Sequence, residues 1–375
     1  MAEKSTKIFF LIPSLTQGGA ERQVLELIRR LPARFQPVLA LFHDDVYYRD
    51  LLPAGQPRYV LGANKMSRST FAQLVSILRK ERPTIFQGFL NQASFWGRLA
   101  ALRAGVPVIL GACRARMIEP QYLAFESLLC RLTGGVLTNS VGVEHELRTL
   151  AGVPAHKIHV VPNFLDLETF RPPTDQERRA ARLQWGLGAE QRVMLMPGRI
   201  CLQKHQPGLL LAIEQLVACG AIANDDVLLL AGRLKGGTVA PLVERMVQRP
   251  PLSSHVRLLG SQRDIRSLYW AADLLVMPSL WEGLPNAVLE GCACGLPAVV
   301  SHAANVDGIV DPQRTGFENI TADRQDLIHA LRTALALDRA AWREMGQRAR
   351  QRMEQRYHPD GVLRQMTSLY DSLAA

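Results

Sequence analysis

Short apolar runs bounded by turn formers recur along the chain. Residues 7–13, 37–42, 84–88, 107–111 and 135–138 have the length and continuity of strands buried on both faces, as in a parallel sheet. Helical periodicity fills the gaps. Val24, Leu25, Leu27, Ile28 and Leu31 recur at helical spacing, and residues 71–80 and 91–104 predict further helices. Residues 158–164 close this series, and Arg171-Pro172-Pro173 reads as a linker. A second series opens at Arg192. Its strands are expected at 193–196, 227–231, 256–259, 274–277 and 298–300, with helices over 209–219, up to Trp270, and over 286–295. A last helix, about 360–373, carries Val362, Met366, Leu369 and Tyr370 on one face. Alternation of this kind predicts an α/β protein with parallel sheets. Two series in succession predict two Rossmann-like domains facing each other across a deep cleft, with the division near residues 171–172.

Composition narrows the class. The 375 residues suffice for two domains of ordinary size, and an apolar content of 47% supports sizeable cores. No apolar run is long enough to span a bilayer, and the run Ile8 to Ile12 reads as a first strand rather than a signal peptide. Six cysteines stand at 113, 130, 201, 219, 292 and 294 without metal-ligand spacing, which predicts reduced, packed thiols in a cytoplasmic protein and no metal site.

Charge is uneven. Residues 1–172 hold 21 Lys and Arg against 13 Asp and Glu, whereas the remainder holds 23 against 21. An excess of eight in the first half suits an anionic partner. Nucleic acid fits poorly, because basic runs interleaved with aromatics are missing. An anionic membrane surface fits the cluster Lys65, Arg68, Arg79, Lys80 and Arg82 around one helix. Phe71, Leu74, Val75 and Leu78 could give that helix a lipid-facing side, or could be core.

Candidate chemistry sits in the loops. The run 274–277 ends at Pro278-Ser279, and a loop from Trp281 to Pro285 leads into a helix near Asn286. This places Glu282 in a loop at the carboxyl end of a strand, where open α/β sheets bind ligands, and Glu290 on the helix. Backbone N–H groups of residues 286–288 would suit an anion or a set of hydroxyls. The two acids alone describe a capped helix with a solvated glutamate better than a site, and it is their setting on a Gly-Leu-Pro loop below a helix start that reverses this. Gly18-Gly19, between a strand and a helix, has a phosphate-cradling layout, though alone it is only a tight turn. Arg199 and Lys204 follow the first strand of the second series. They could bind phosphate, one by a planar fork and one as a mobile point charge, or be surface cations.

Together these segments carry a resemblance. Residues 282–290, with Gly283-Leu284-Pro285-Asn286 between the acids, resemble the EX7E motif of retaining glycosyltransferases of family 4, which have the two-domain GT-B fold. Gly18-Gly19-Ala20-Glu21-Arg22 is similar to the amino-terminal loop of that family, and Gly198-Arg199…Lys204 to its diphosphate segment.

The resemblance implies an amino-terminal acceptor-binding domain over 1–171 and a donor-binding domain over 172–359, with the helix at 360–375 packing back on the first. It implies transfer of a sugar from a nucleotide-diphosphate sugar, in particular a UDP-sugar, to an acceptor hydroxyl with retention. Glu282, Arg199 and Lys204 would be catalytic. Glu282 would face the donor sugar, Glu290 the ribose hydroxyls, and Arg199 with Lys204 the diphosphate in place of a metal. Gly18, Gly19, Gly283, Leu284 and Asn286 would line the donor, with the base near Gly260 to Arg263. The nucleotide sugar is then a co-substrate, and no cofactor is implied. The acceptor would be a saccharide or a lipid-linked saccharide at the inner face of the cytoplasmic membrane, in bacterial polysaccharide or glycolipid synthesis. Departures are visible. Phe164 stands where the family usually has glycine, and Arg114 stands near a family histidine, either to contact phosphate or acceptor or as a surface residue. His302 would face the mouth of the cleft or be an ordinary loop histidine. A same-fold epimerase or hydrolase, or a non-catalytic nucleotide-sugar binder, are the competing readings.

Overall fold

A computed structural model describes residues 5–62, 66–116, 120–234 and 237–375. The chain forms two compact units, Met1–Phe164 with Pro359–Ala375, and Leu165–His358.

The first unit is built on seven parallel strands: β1 (Thr6–Ile12), β2 (Phe35–Leu41), β3 (Arg58–Val60), β4 (Ile85–Gly88), β5 (Val108–Cys113), β6 (Gly135–Thr138) and β7 (Ile158–Val160). Their order is β3-β2-β1-β4-β5-β6-β7, so the direction of travel reverses between β1 and β4. Ile8 to Ile12 are fully buried, which explains why β1 is apolar on both of its faces. The short β3 at the sheet edge was not expected from the sequence, because only three residues pair and two of them are exposed.

Helices Arg68–Glu81, Asn91–Ala104 and Pro120–Leu132 pack side by side. Leu74, Val75 and Leu78 of the first are buried in the core, which removes them as a lipid-facing side of that helix. Lys65 lies outside the described residues. Between the second and third helices, Arg98 donates to both oxygens of Glu126, at 2.8 and 2.5 Å, and both side chains are buried. The helix Pro359–Ala374 completes the core of this unit. Val362, Met366 and Tyr370 pack among Phe10, Phe35 and Ile85, and the Tyr370 hydroxyl donates to Gln87 Oε1.

The second unit has six parallel strands: β8 (Val193–Pro197), β9 (Val227–Ala231), β10 (Val256–Gly260), β11 (Leu274–Met277), β12 (Ala298–Ser301) and β13 (Gly316–Asn319). Their order is β10-β9-β8-β11-β12-β13, with the reversal between β8 and β11. The stretch Arg171-Pro172-Pro173 belongs inside this unit, not between the two. Arg171 is ion-paired to Glu177 at 2.6 Å, its carbonyl accepts from Trp270 Nε1 at 2.9 Å, and the Phe170 carbonyl accepts from Arg350. Proline density at this point reflects the start of the helix Asp175–Gln184, closed by a Thr174–Glu177 capping box.

All six cysteines are free. Burial pushes the thiols of Cys113 and Cys292 up to about 12, so they behave as small apolar groups. Among the described residues, no helix is long and apolar enough to cross a membrane.

Candidate active site

In a sheet of this topology the loops after the two central strands diverge and leave a crevice at their carboxyl ends. In the second unit those loops follow β8 and β11. The loop after β8 carries Arg199 and Lys204, and the loop after β11 carries Glu282.

The β8 loop is held by backbone fit. Gly198 sits at φ +141, a region that L side chains rarely adopt. A Cβ on Gly232 would lie 1.9 Å from the Gly198 carbonyl, so two glycines let the loops after β8 and β9 touch. Gln206, fully buried, donates to the Arg199 carbonyl at 2.9 Å and accepts from the Cys201 N–H at 3.2 Å. His205 takes a left-handed backbone at φ 58, and its ring packs over Gly208, where a Cβ would collide with it.

Lys204 Nζ donates to Glu282 Oε1 at 2.6 Å, with side chains 12% and 8% exposed. Gln203 Nε2 donates to the other carboxylate oxygen at 3.2 Å and to the Trp281 carbonyl at 3.0 Å. The Leu280 N–H returns a bond to the Gln203 carbonyl at 2.8 Å. Arg199 Nη2 reaches Gln203 Oε1 at 3.5 Å. Three sequence-predicted residues therefore meet through Gln203, which the sequence did not single out. A glutamine between two loop cations carries no signal of its own, since its partners lie 78 and 79 residues away.

Glu290 stands on the helix Asn286–Ala293 and accepts from the Tyr269 hydroxyl at 3.0 Å. Tyr269 is buried on the helix Arg266–Ala271, and the Ala287 carbonyl, 3.3 Å from the same hydroxyl, shares its one proton with Glu290. Gly283 and Leu284 are buried in the loop before this helix, and Asn286 is its first residue. Pro285 precedes the helix without a side-chain cap. The Val288 N–H, expected to be open to an anion, is taken by the Pro285 carbonyl at 3.0 Å. Arg263 is exposed in the loop after β10. His302 is exposed as well, with Nδ1 2.6 Å from Glu318 Oε1.

The remaining candidates belong to the first unit. Gly18 has an extended backbone before the helix Gly19–Arg30, and Gly19 is exposed. The Glu21 carboxylate folds back over Gly18, so close that a Cβ there would lie 2.2 Å from Oε2. Gln23, another residue missed in the sequence, exchanges two bonds with the Phe164 backbone at 2.8 and 2.6 Å. Arg114 follows β5 and is half-buried, with its guanidinium 5.8 Å from the centre of the Phe89 ring. Its Nε is buried and has no hydrogen-bond partner among the described residues. Burial pushes Arg114 down to about 10, so it remains a cation at neutral pH.

Among the described residues, no group of three or more His, Cys, Asp or Glu is arranged to hold a metal ion.

Residues 17–169 match the family model for Glycosyltransferase Family 4, and residues 177–352 match that for Glycosyl transferases group 1. The chain belongs to glycosyltransferase family 4. It is thus a glycosyltransferase, and the fold is of the GT-B class. It is 28% identical over 270 residues to the UDP-Gal:alpha-D-GlcNAc-diphosphoundecaprenol alpha-1,3-galactosyltransferase of Escherichia coli, covering 69% of this chain and 68% of that protein. It is 27% identical over 346 residues to a putative glycosyltransferase, EpsF, of Bacillus subtilis, covering 86% and 84%. Among solved structures, Anabaena Alr3699/HepE in complex with UDP and glucose superposes with a TM-score of 0.85 at 22% identity, over 98% of this chain and all of that one. WaaG, a glycosyltransferase involved in lipopolysaccharide biosynthesis, superposes at 0.74 with 14% identity, covering 95% and 98%.

Proposed function

We propose that the protein transfers a sugar from a UDP-sugar to a hydroxyl of a saccharide or lipid-linked acceptor, with retention at the anomeric carbon. The observation that carries this reading is the Lys204–Glu282 pair, which joins the two switch-point loops of the second unit and is steadied by Gln203. A nearly buried cation beside a nearly buried carboxylate sets a phosphate-binding group next to a hydroxyl-binding one. That spacing suits the diphosphate and the sugar of one donor. The E. coli relative is a UDP-Gal galactosyltransferase, and the Anabaena structure is a complex with UDP and glucose.

Arg199 and Lys204 would stabilise the departing diphosphate in place of a metal, the main protein contribution to such a transfer. Lys204 has three donors and spends one on Glu282, so it can serve the carboxylate and a phosphate oxygen together. Glu282 would accept from hydroxyls of the transferred sugar. Glu290, braced by Tyr269, would hold the ribose, with Asn286, Gly283 and Leu284 forming the loop wall and Arg263 near the base. Gly18, Gly19 and Arg114 would be the first unit's own contributions, the glycines by their backbone and Arg114 as a cation for the acceptor. No side chain is assigned as a nucleophile. The first unit would be the acceptor-binding domain and the second the donor-binding domain of a cytoplasmic enzyme acting at the inner face of the membrane, in polysaccharide or glycolipid synthesis.

Calorimetry with UDP on the intact protein tests donor binding, and the anomeric configuration of the product, read by NMR, tests retention. Absence of UDP binding, or an inverted product, would overturn the respective part.

A further inference from the structure

The outer surface of the three adjacent helices in the first unit has an unusual composition. Apolar residues stand in solvent there: Trp96 and Leu102 on Asn91–Ala104, and Phe125, Leu128 and Leu132 on Pro120–Leu132. Leu128 and Leu132 are 59% and 56% exposed, one turn apart on the same helix. The aromatics are continuous across the helices. Phe71 meets Trp96 edge-on at 6.5 Å, Trp96 meets Phe95 at 5.0 Å, and Phe95 stacks on Phe125 at 4.3 Å.

Among the described residues of these helices, the exposed charge has one sign. Arg68, Arg79, Lys80, Arg103 and Arg131 are all exposed on the same three helices. These helices contain two acids, and neither is presented to solvent as a free charge. Glu126 is buried against Arg98, and Glu81 is bound to Lys7 at 3.1 Å and to the Tyr59 hydroxyl at 2.6 Å. The helix Pro120–Leu132 departs from ordinary amphipathic logic: its only carboxylate points inward beside Leu129 and Cys130, while Leu128 and Leu132 point outward. Scattered exposed leucines are normal, but an aromatic-linked apolar surface ringed by unopposed cations marks an interaction site.

We infer that this face docks on an anionic lipid bilayer, with Trp96, Phe125, Leu128 and Leu132 entering the interfacial region and the five cations meeting lipid phosphates. Charge complementarity selects lipid: the cations oppose a second copy of the same face and, among the described residues of the three helices, lack exposed acidic neighbours that would pair with a basic protein. Each cation near such a surface contributes about 1 kcal/mol, and amphipathic side chains add apolar burial. The inference rests on the proposed membrane-borne acceptor and gives that proposal a contact surface. It also moves the apolar contribution away from Leu74, Val75 and Leu78, which are core.

The test is co-sedimentation of the intact protein with neutral phosphatidylcholine vesicles and with vesicles containing phosphatidylglycerol. Binding is expected only to the anionic vesicles and is expected to weaken with salt. The double variant Leu128→Ser/Leu132→Ser should lower the partition coefficient at least tenfold. Arg103→Gln/Arg131→Gln should lower it roughly 30-fold, from about 1 kcal/mol per cation. Leu183→Ser, which alters a leucine 82% exposed in the second unit, should change nothing. Unchanged binding in the leucine variant, equal recovery from neutral vesicles, or self-association in the ultracentrifuge without vesicle binding would each overturn the inference. UDP calorimetry on the same variants separates this from the donor assignment: retained UDP affinity with lost vesicle binding is the expected pattern. Lost UDP binding by the unaltered protein would count against the donor reading alone.

Discussion

Lys204 Nζ and Glu282 Oε1, 78 residues apart in sequence, lie 2.6 Å apart across the switch point of the second sheet. Neither residue can be altered without leaving the other as a poorly solvated charge. Lys204→Ala and Glu282→Ala should each destabilise the second unit, and the double variant should melt closer to the parent than the sum of the two single shifts allows. Thermal melts of the four proteins measure this coupling. Strict additivity would mean that the pair is not formed in solution.

The two glutamates should separate by readout. Glu290→Ala is expected to weaken UDP binding by roughly tenfold to a hundredfold, in line with about 1.5–3 kcal/mol for a hydrogen bond to a charged group. Glu282→Ala should retain most UDP affinity and lose transfer. Tyr269→Phe removes the bond that orients Glu290 and should fall between Glu290→Ala and the parent. Calorimetry with UDP, paired with turnover, sorts the three, and identical affinities throughout would refute the ribose role.

Transfer should persist in EDTA if, as proposed, Arg199 and Lys204 serve the diphosphate in place of a metal. Arg199→Ala should reduce turnover by about a hundredfold or more, on the scale of losing one preorganised donor to a developing charge. Arg249→Ala, which alters an exposed arginine outside the switch-point loops, should leave it within twofold. Activity that stops on chelation and returns with manganese would reverse the assignment.

Acid should loosen the β8 loop through His205. Burial pushes its imidazole below the ordinary value of 6.5, so the folded state binds its proton less readily than the unfolded state does. Stability is then full above about 6.5 and declines as the pH falls from there through the depressed folded value. His205→Asn, whose side chain tolerates the left-handed backbone at this position, should flatten the decline of melting temperature between pH 7 and 5. A decline of unchanged steepness would show that other groups control it.

The sequence made the strands plain for a physical reason. Leu274 to Met277 and Val227 to Ala231 are covered on both faces, so nothing polar interrupts them. The loops that follow them were legible because Gly, Pro and charge cluster there. The helix Pro120–Leu132 was not legible, since Glu126 points inward to Arg98 while Phe125, Leu128 and Leu132 point outward, which scrambles the helical period. Gln203 and Tyr269 were hidden for another reason. Their roles come from partners brought close by sheet order, 79 and 21 residues away, which no local pattern records. Arg171-Pro172-Pro173 misled as a linker because capping chemistry and linker chemistry use the same residues.

The final helix has a consequence for biogenesis. During synthesis the segment up to Phe164 emerges before the rest, but the groove that Val362, Met366 and Tyr370 fill stays open until Pro359–Ala375 has been made. The contiguous stretch Leu165–His358 folds from its own residues, whereas the earlier-made part depends on Pro359–Ala375. Until then Gln87 and the apolar residues around Phe10 and Ile85 lack their cover, a nascent surface suited to chaperone capture. A ribosome that stalls near residue 358 would therefore release a chain whose newer portion is finished and whose older portion is not.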